Sequence, residues 1–223
     1  MSIINQIYQQ LIKLFWVLVK LYIPIIALLA LFVVLQIKYG IRVSTFTRDP
    51  IQFFGGDPYI GILSNIGILF WAATVSITFF TSYMLWGSKR YKASSKFLFY
   101  SGLFTSFLML DDLFLLHENI FPKLLNIPEL LVYIVYALIL IWYFTAYYKK
   151  ISKGEYVLLL LAIFFFGGSV SIDYIGQFIK IPGVYVLEDG FKICGIVTWF
   201  TYFVRTDIDY LKLSFSEENN SIN

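Results

Sequence analysis

The chain has 223 residues, of which 59% are hydrophobic, 20% aromatic and only 14% charged, with a mean hydropathy of +0.77. Soluble domains carry about 25% charged residues, and one of this length could not hide so much apolar surface, so a water-soluble globule is excluded. A net charge of +3 with no basic stripe excludes nucleic-acid binding, and the single cysteine, Cys194, excludes a disulfide scaffold.

A helix needs about 20 mostly apolar residues to cross roughly 30 Å of hydrocarbon. In chain order, six stretches meet that need, at about 14–36, 60–86, 97–120, 128–148, 156–177 and 184–204. They are apolar all round and do not alternate, which argues against a β-barrel. The expected fold is therefore all-α: a polytopic transmembrane helix bundle of six spans in one domain over 1–213, with a polar tail at 214–223. Ahead of the first span, Ile3, Ile4, Ile7, Leu11 and Leu14 recur at helical spacing. Residues 1–13 are thus either a short interfacial helix or an early extension of that span. The first loop, 37–57, contains Arg42, Arg48, Asp49, Pro50, Gly55 and Gly56. Loops longer than about 15 residues are often functional, and this one could act as a lid, with Arg48 meeting carboxylates or an anionic headgroup.

Lys and Arg set the expected orientation. The N-terminal side holds Lys13, Lys89, Arg90, Lys92, Lys96, Lys149, Lys150, Lys153, Arg205 and Lys212, and the other side holds Lys38, Arg42, Arg48, Lys123 and Lys180. Ten against five places both termini in the cytoplasm of an integral membrane protein, in a bacterial inner membrane or its equivalent. The second side then faces the periplasm or a lumen.

Charges inside hydrocarbon cost several kcal/mol, so their placement is informative. The third span ends in LDDLFLLHE (110–118), the fifth ends in SVSIDY (169–174), and the sixth opens with LEDGFK (187–192). By parity of crossings all three lie on the outer side. Asp111, Asp112, Glu118, Asp173, Glu188 and Asp189 therefore converge there with the only histidine, His117. On a continuous helix, Asp111 and Glu118, seven residues apart, share a stripe, and Asp112 lies about 100° from Asp111. Ser169, Asp173 and Gln177 form a second stripe. Glu188 and Lys192 are spaced to pair, Gly195 and Trp199 extend their stripe, and Gly190 and Gly195 are small enough for close helix approach. Phe and Tyr are read as lipid-facing bulk or interfacial belt, and Cys194 as inert packing.

Several chemistries suit this cluster. Asp111, His117, Glu118, Asp173 and Glu188 are hard ligands fit for a divalent metal such as Mn, Fe, Mg, Ca or Zn, which would activate a bound water. Without a metal, crowded carboxylates cannot all ionise, so Asp111, Asp173 and Glu188 would supply an acid and a base, with Lys192 holding one of them charged. Asp112, Asp189, Ser169 and Arg48 would support the site. The reading taken is a membrane-embedded enzyme acting on a lipid or isoprenoid-like substrate, with membrane lipids as its partners. A proton- or cation-coupled transporter uses the same residue types, and an accessory subunit of a membrane complex needs them only to hold helices together.

In Thr47-Arg48-Asp49-Pro50, in the run from Leu110 to Glu118, and in Leu187-Glu188-Asp189-Gly190 through Lys192 and Gly195, the chain resembles a group of uncharacterised bacterial and cyanobacterial multi-span membrane proteins. That resemblance implies a multi-span fold over most of the chain and that these polar residues form a site. It implies no activity.

Overall fold

The computed structural model describes residues 3–47, 50–57, 59–176 and 184–222. All the regular structure among those residues is helical, with no strand. The chain divides into two compact units, Met1–Ile60 and Gly61–Asn223. Arg48, Gln177 and Lys180 lie outside the described residues.

The first unit holds α1 (Ile3–Tyr39), α2 (Ser44–Thr47) and α3 (Pro50–Phe54). α1 runs unbroken past Pro24, so residues 3–13 are an extension of the first span and not a separate interfacial helix. The loop after it folds back on the end of α1. The Val43 backbone N–H donates to Gln36 Oε1 at 2.9 Å, and Phe46 stacks on Phe32 at 4.9 Å between ring centroids.

The second unit is a bundle of α4 (Ile62–Leu85), α5 (Lys92–Phe114), a π-helical turn (Leu116–Ile120), α6 (Phe121–Leu125), α7 (Glu129–Ile151), α8 (Tyr156–Gly176) and α9 (Val184–Ile222). Five helices are long and apolar enough to cross a membrane: α1 over Tyr22–Tyr39, α4, α5, α7 over Leu130–Ile151, and α8. This is the signature of an integral membrane protein. The sixth predicted stretch forms the first half of α9, which Glu188, Asp189 and Lys192 set apart from those five. At 1.5 Å per residue, the 39 residues of α9 extend about 58 Å, nearly twice the hydrocarbon thickness.

α9 is the central strut, packing along α8 and α4, and α4 packs on α5. Small residues allow these approaches, because in lipid helices associate through close packing and polar contacts and not through exclusion of water. A Cβ at Gly195 would sit 2.7 Å from the Phe166 ring, and one at Gly102 would sit 2.8 Å from Thr78 Oγ1. A Cβ at Gly190, by contrast, would meet nothing within 4 Å among the described residues, so of the two glycines predicted to admit a neighbour Gly195 is the one seen to do so. Gly195→Val is expected to force Phe166 off α9 and to destabilise the bundle by about 1–3 kcal/mol. Chemical unfolding in detergent would measure this, and an unchanged midpoint would mean that the α8–α9 seam is loose.

Aromatic rings fill the interior. Trp71, Phe97, Tyr143, Trp199, Tyr202 and Phe203 are all buried, which corrects the expectation that aromatic residues only face lipid or the interface. Others, such as Phe80, Tyr83, Trp142 and Phe164, do lie on the outside. Among the described residues, the buried polar side chains along the core are paired, as a medium without water requires, with the Asp207 carboxylate as the exception. Ser82 Oγ donates to the Ser95 carbonyl at 2.8 Å, and Ser95 Oγ donates to the Ser82 carbonyl at 2.7 Å. Ser101 Oγ lies 2.6 Å from the Tyr143 hydroxyl, and Trp199 Nε1–H donates to Thr105 Oγ1 at 3.1 Å. Cys194 is exposed and does not belong to this packing.

Candidate functional site

Asp111 and Asp112 end α5 on adjacent turn positions about 100° apart, so they face different neighbours. Both are buried. Asp112 points toward α4 and α9, where Trp71 Nε1–H donates to Oδ2 at 3.1 Å and the Lys192 ammonium pairs with Oδ1. Lys192 therefore bridges helices, and its ion-pair partner is Asp112 and not the Glu188 that its own helix spacing offers. Asp111 points toward α7 and the turn that follows α5. Tyr136 O–H donates to Oδ1 at 2.9 Å.

That turn accounts for His117. α5 stops at Phe114, and Leu115 takes a left-handed conformation at φ 51. A side chain other than glycine pays about 1–2 kcal/mol for this, and the contacts that follow supply the compensation. The π-helical turn then swings His117 back over the end of α5. Its backbone N–H donates to Asp111 Oδ1 at 2.9 Å, and its Nδ1 lies 2.6 Å from Oδ2. With Nδ1 donating to Asp111, the neutral ring carries its proton on Nδ1 and leaves Nε2 without one. Nε2 stands 3.5 Å from Glu118 Oε1, and the ring lies 5.3 Å from the Tyr133 ring, centroid to centroid.

This geometry corrects the helical stripe expected for Asp111 and Glu118. The helix breaks between them, so the seven-residue spacing does not align them, and Glu118 sits exposed on the π turn. π turns are uncommon and recur at functional sites, because the extra residue re-aims side chains.

Burial works against a charge on the His117 imidazole. The hydrogen bond and negative charge of Asp111, helped by Glu118, outweigh it and hold the pKa above the ordinary 6.5.

Around this core, Glu188 is half-buried on α9 within electrostatic reach of Asp173, Asp189, Lys192 and Glu118. Ser169, buried on α8, lies one turn from half-buried Asp173. Asp189 is exposed. The tight contacts thus join Asp111, Asp112, His117, Lys192, Trp71 and Tyr136. Glu188, Asp173 and Asp189 stand outside them and are coupled through charge. Among the described residues, no three His, Cys, Asp or Glu side chains stand together as a metal-holding group.

Trp71 and Tyr136 did not emerge from the sequence. Each is one aromatic residue inside an apolar run, and nothing in that run distinguishes it from its neighbours. A fold-free signal existed only for Trp71, whose indole N–H needs an acceptor wherever a membrane helix buries it.

Beside the site, α5 and α7 form an open apolar groove of about 210 Å³. Leu103, Phe104 and Phe107 line it from α5, and Ile139, Trp142 and Tyr143 line it from α7. Phe107 lies one turn before Asp111 and packs edge-on against Tyr136 at 5.2 Å, so the groove runs up to the Asp111–Tyr136 contact.

A family model described as "Domain of unknown function (DUF8692)" matches residues 22–206. No curated protein and no solved structure matches the chain.

Proposed function

The chain belongs to the DUF8692 family, and for it we propose a membrane-embedded enzyme in which His117 performs acid–base chemistry on a lipid or isoprenoid-like substrate. The observation that carries this reading is the 2.6 Å contact between Asp111 and His117 Nδ1, which orients the ring and leaves Nε2 available. In hydrolysis of a lipid ester or amide, Nε2 takes a proton from water as the water oxygen bonds to the carbonyl carbon. The same proton then passes to the leaving oxygen or nitrogen as its bond to that carbon breaks. Asp111 stabilises the imidazolium in between, and Tyr136 fixes Asp111. Asp112 and Lys192 neutralise each other beside the reacting centre. Asp173 and Glu188 are further acids at the same end, coupled to the site through charge. The groove between α5 and α7 suits the substrate's apolar chain, with the polar end at His117.

The test places full-length protein in nanodiscs of bacterial lipid extract and follows lipid masses with time. Wild type is expected to convert a lipid class, with His117→Gln and Asp111→Asn slower by at least 100-fold. Because Nε2 acts in its unprotonated form, the rate should rise with pH to a plateau above the ordinary histidine range. In Asp111→Asn that limb should move to lower pH. With only one histidine in the chain, imidazole NMR reads the same titration directly. Unchanged lipids in wild type, together with proton flux in proteoliposomes that His117→Gln abolishes, would overturn the enzyme in favour of a transporter. Metal analysis of wild type beside Asp173→Asn tests for an ion at the same end.

A further inference from the structure

At the end of the bundle away from His117, the α7–α8 turn and the second half of α9 line a half-open cavity of about 500 Å³. α9 creates it by continuing beyond the apolar stretch, so that its polar second half overhangs the end of α7. Six charged side chains line it: Lys150, Lys153, Glu155, Arg205, Asp209 and Lys212. Glu155 grips the Arg205 guanidinium through Nε and Nη2, and Asp209 lies within electrostatic reach of the same group. These three together carry a net charge of −1. The three lysines add +3, which leaves the cavity at +2.

The lysines are not neutralised from within. Among the described residues, none of the three forms an ion pair with a carboxylate. Lys150 donates to Ser94 Oγ at 2.9 Å and lies 5.8 Å from the centre of the Tyr210 ring, and it is close enough to Lys153 to feel its repulsion. Tyr202 and Tyr210 also line the wall, with their hydroxyls hydrogen-bonded to Thr206 and Ser94. Cations that repel each other around a cavity are relieved by an anion carrying several acceptor oxygens.

We propose that this cavity is a phosphate-ester site. The positive-inside rule assigns this end of the bundle to the cytoplasm, where both anionic phospholipid headgroups and soluble phosphate esters are at hand. Lys153 and Lys212 supply the charge, Lys150 anchors one wall through Ser94, and the Glu155–Arg205 pair closes the other.

The test uses full-length protein in phosphatidylcholine nanodiscs, titrated with glycerol 3-phosphate and, separately, with phosphatidylglycerol mixed into the disc. Wild type is expected to bind at least one of them, more weakly as salt rises. Lys153→Gln with Lys212→Gln should weaken binding tenfold or more, and Lys153→Arg with Lys212→Arg should restore it. Saturation by glycerol 3-phosphate assigns the ester to the aqueous phase, and a response to phosphatidylglycerol alone assigns it to the headgroup. Binding of neither probe, or equal binding by the double glutamine variant, would overturn the site.

Discussion

Lys192→Met is expected to destabilise the protein by about 3 kcal/mol, because it strands the buried Asp112 carboxylate beside Trp71. Removing one partner of a buried pair costs about 3–5 kcal/mol, and the lower end applies because the Lys192 side chain keeps 34% of its surface. The cost lies in the orphaned charge more than in the lost attraction. Asp112→Asn combined with Lys192→Met should therefore recover most of the loss, since the amide still accepts from Trp71 and carries no charge. Chemical unfolding in detergent of wild type, both single variants and the double variant gives the coupling directly. A double variant as unstable as Lys192→Met would show that Lys192 stabilises through packing of its stem and not through Asp112.

The second large effect concerns Asp207. This residue sits on the far half of α9, 3% exposed, with neither carboxylate oxygen hydrogen-bonded among the described residues. Burial alone pushes its pKa from 3.8 up to about 8. A carboxyl whose folded pKa is raised stays protonated in the fold while the unfolded chain ionises. Its contribution to stability is intact below pH 3.8, is lost as pH rises toward 8, and changes no further above that. At about 1.4 kcal/mol per unit, the loss by pH 7 is on the order of 4 kcal/mol. Asp207→Leu removes the ionisation and also the unsatisfied oxygens. It is expected to match or exceed wild type at pH 4 and to exceed it by a few kcal/mol at pH 7, with a flat profile between. Unfolding midpoints at pH 4, 5.5 and 7 measure both slopes. A variant that unfolds more easily than wild type at pH 7 would mean that Asp207 has a partner at neutral pH.

Much of the candidate site is legible in the chain's order of residues. Hydropathy located the apolar runs, and counting crossings brought Asp111, Asp112, His117, Glu188 and Lys192 to one end of the bundle. That argument works because charge in hydrocarbon is costly enough to mark its own position. It fails at the level of contacts. Spacing along α9 offers Glu188 to Lys192, but the ion pair forms with Asp112, because α4 packs on both α5 and α9 and brings the two groups within reach. Spacing along α5 aligns Asp111 with Glu118 only if the helix continues, and no proline or glycine between them announces the break at Leu115. Asp207 carries no signal in the sequence because it lies in a stretch with Arg205 and Asp209 that reads as a solvated helix end, and packing near Tyr202 and Tyr210 buries it.

Residue order alone establishes an all-helical membrane protein and the end of the bundle toward which Asp111, Asp112, Asp173 and Glu188 gather. Both follow from the cost of placing peptide and charged groups in hydrocarbon, a cost that is local and additive along the chain. The tertiary structure alone decided which groups touch: Asp111 with His117 and Tyr136, and Asp112 with Lys192 and Trp71. Those contacts depend on how helices rotate and approach one another. That is set by Gly195, Gly102 and the aromatic core acting together, and no single segment of the chain contains it.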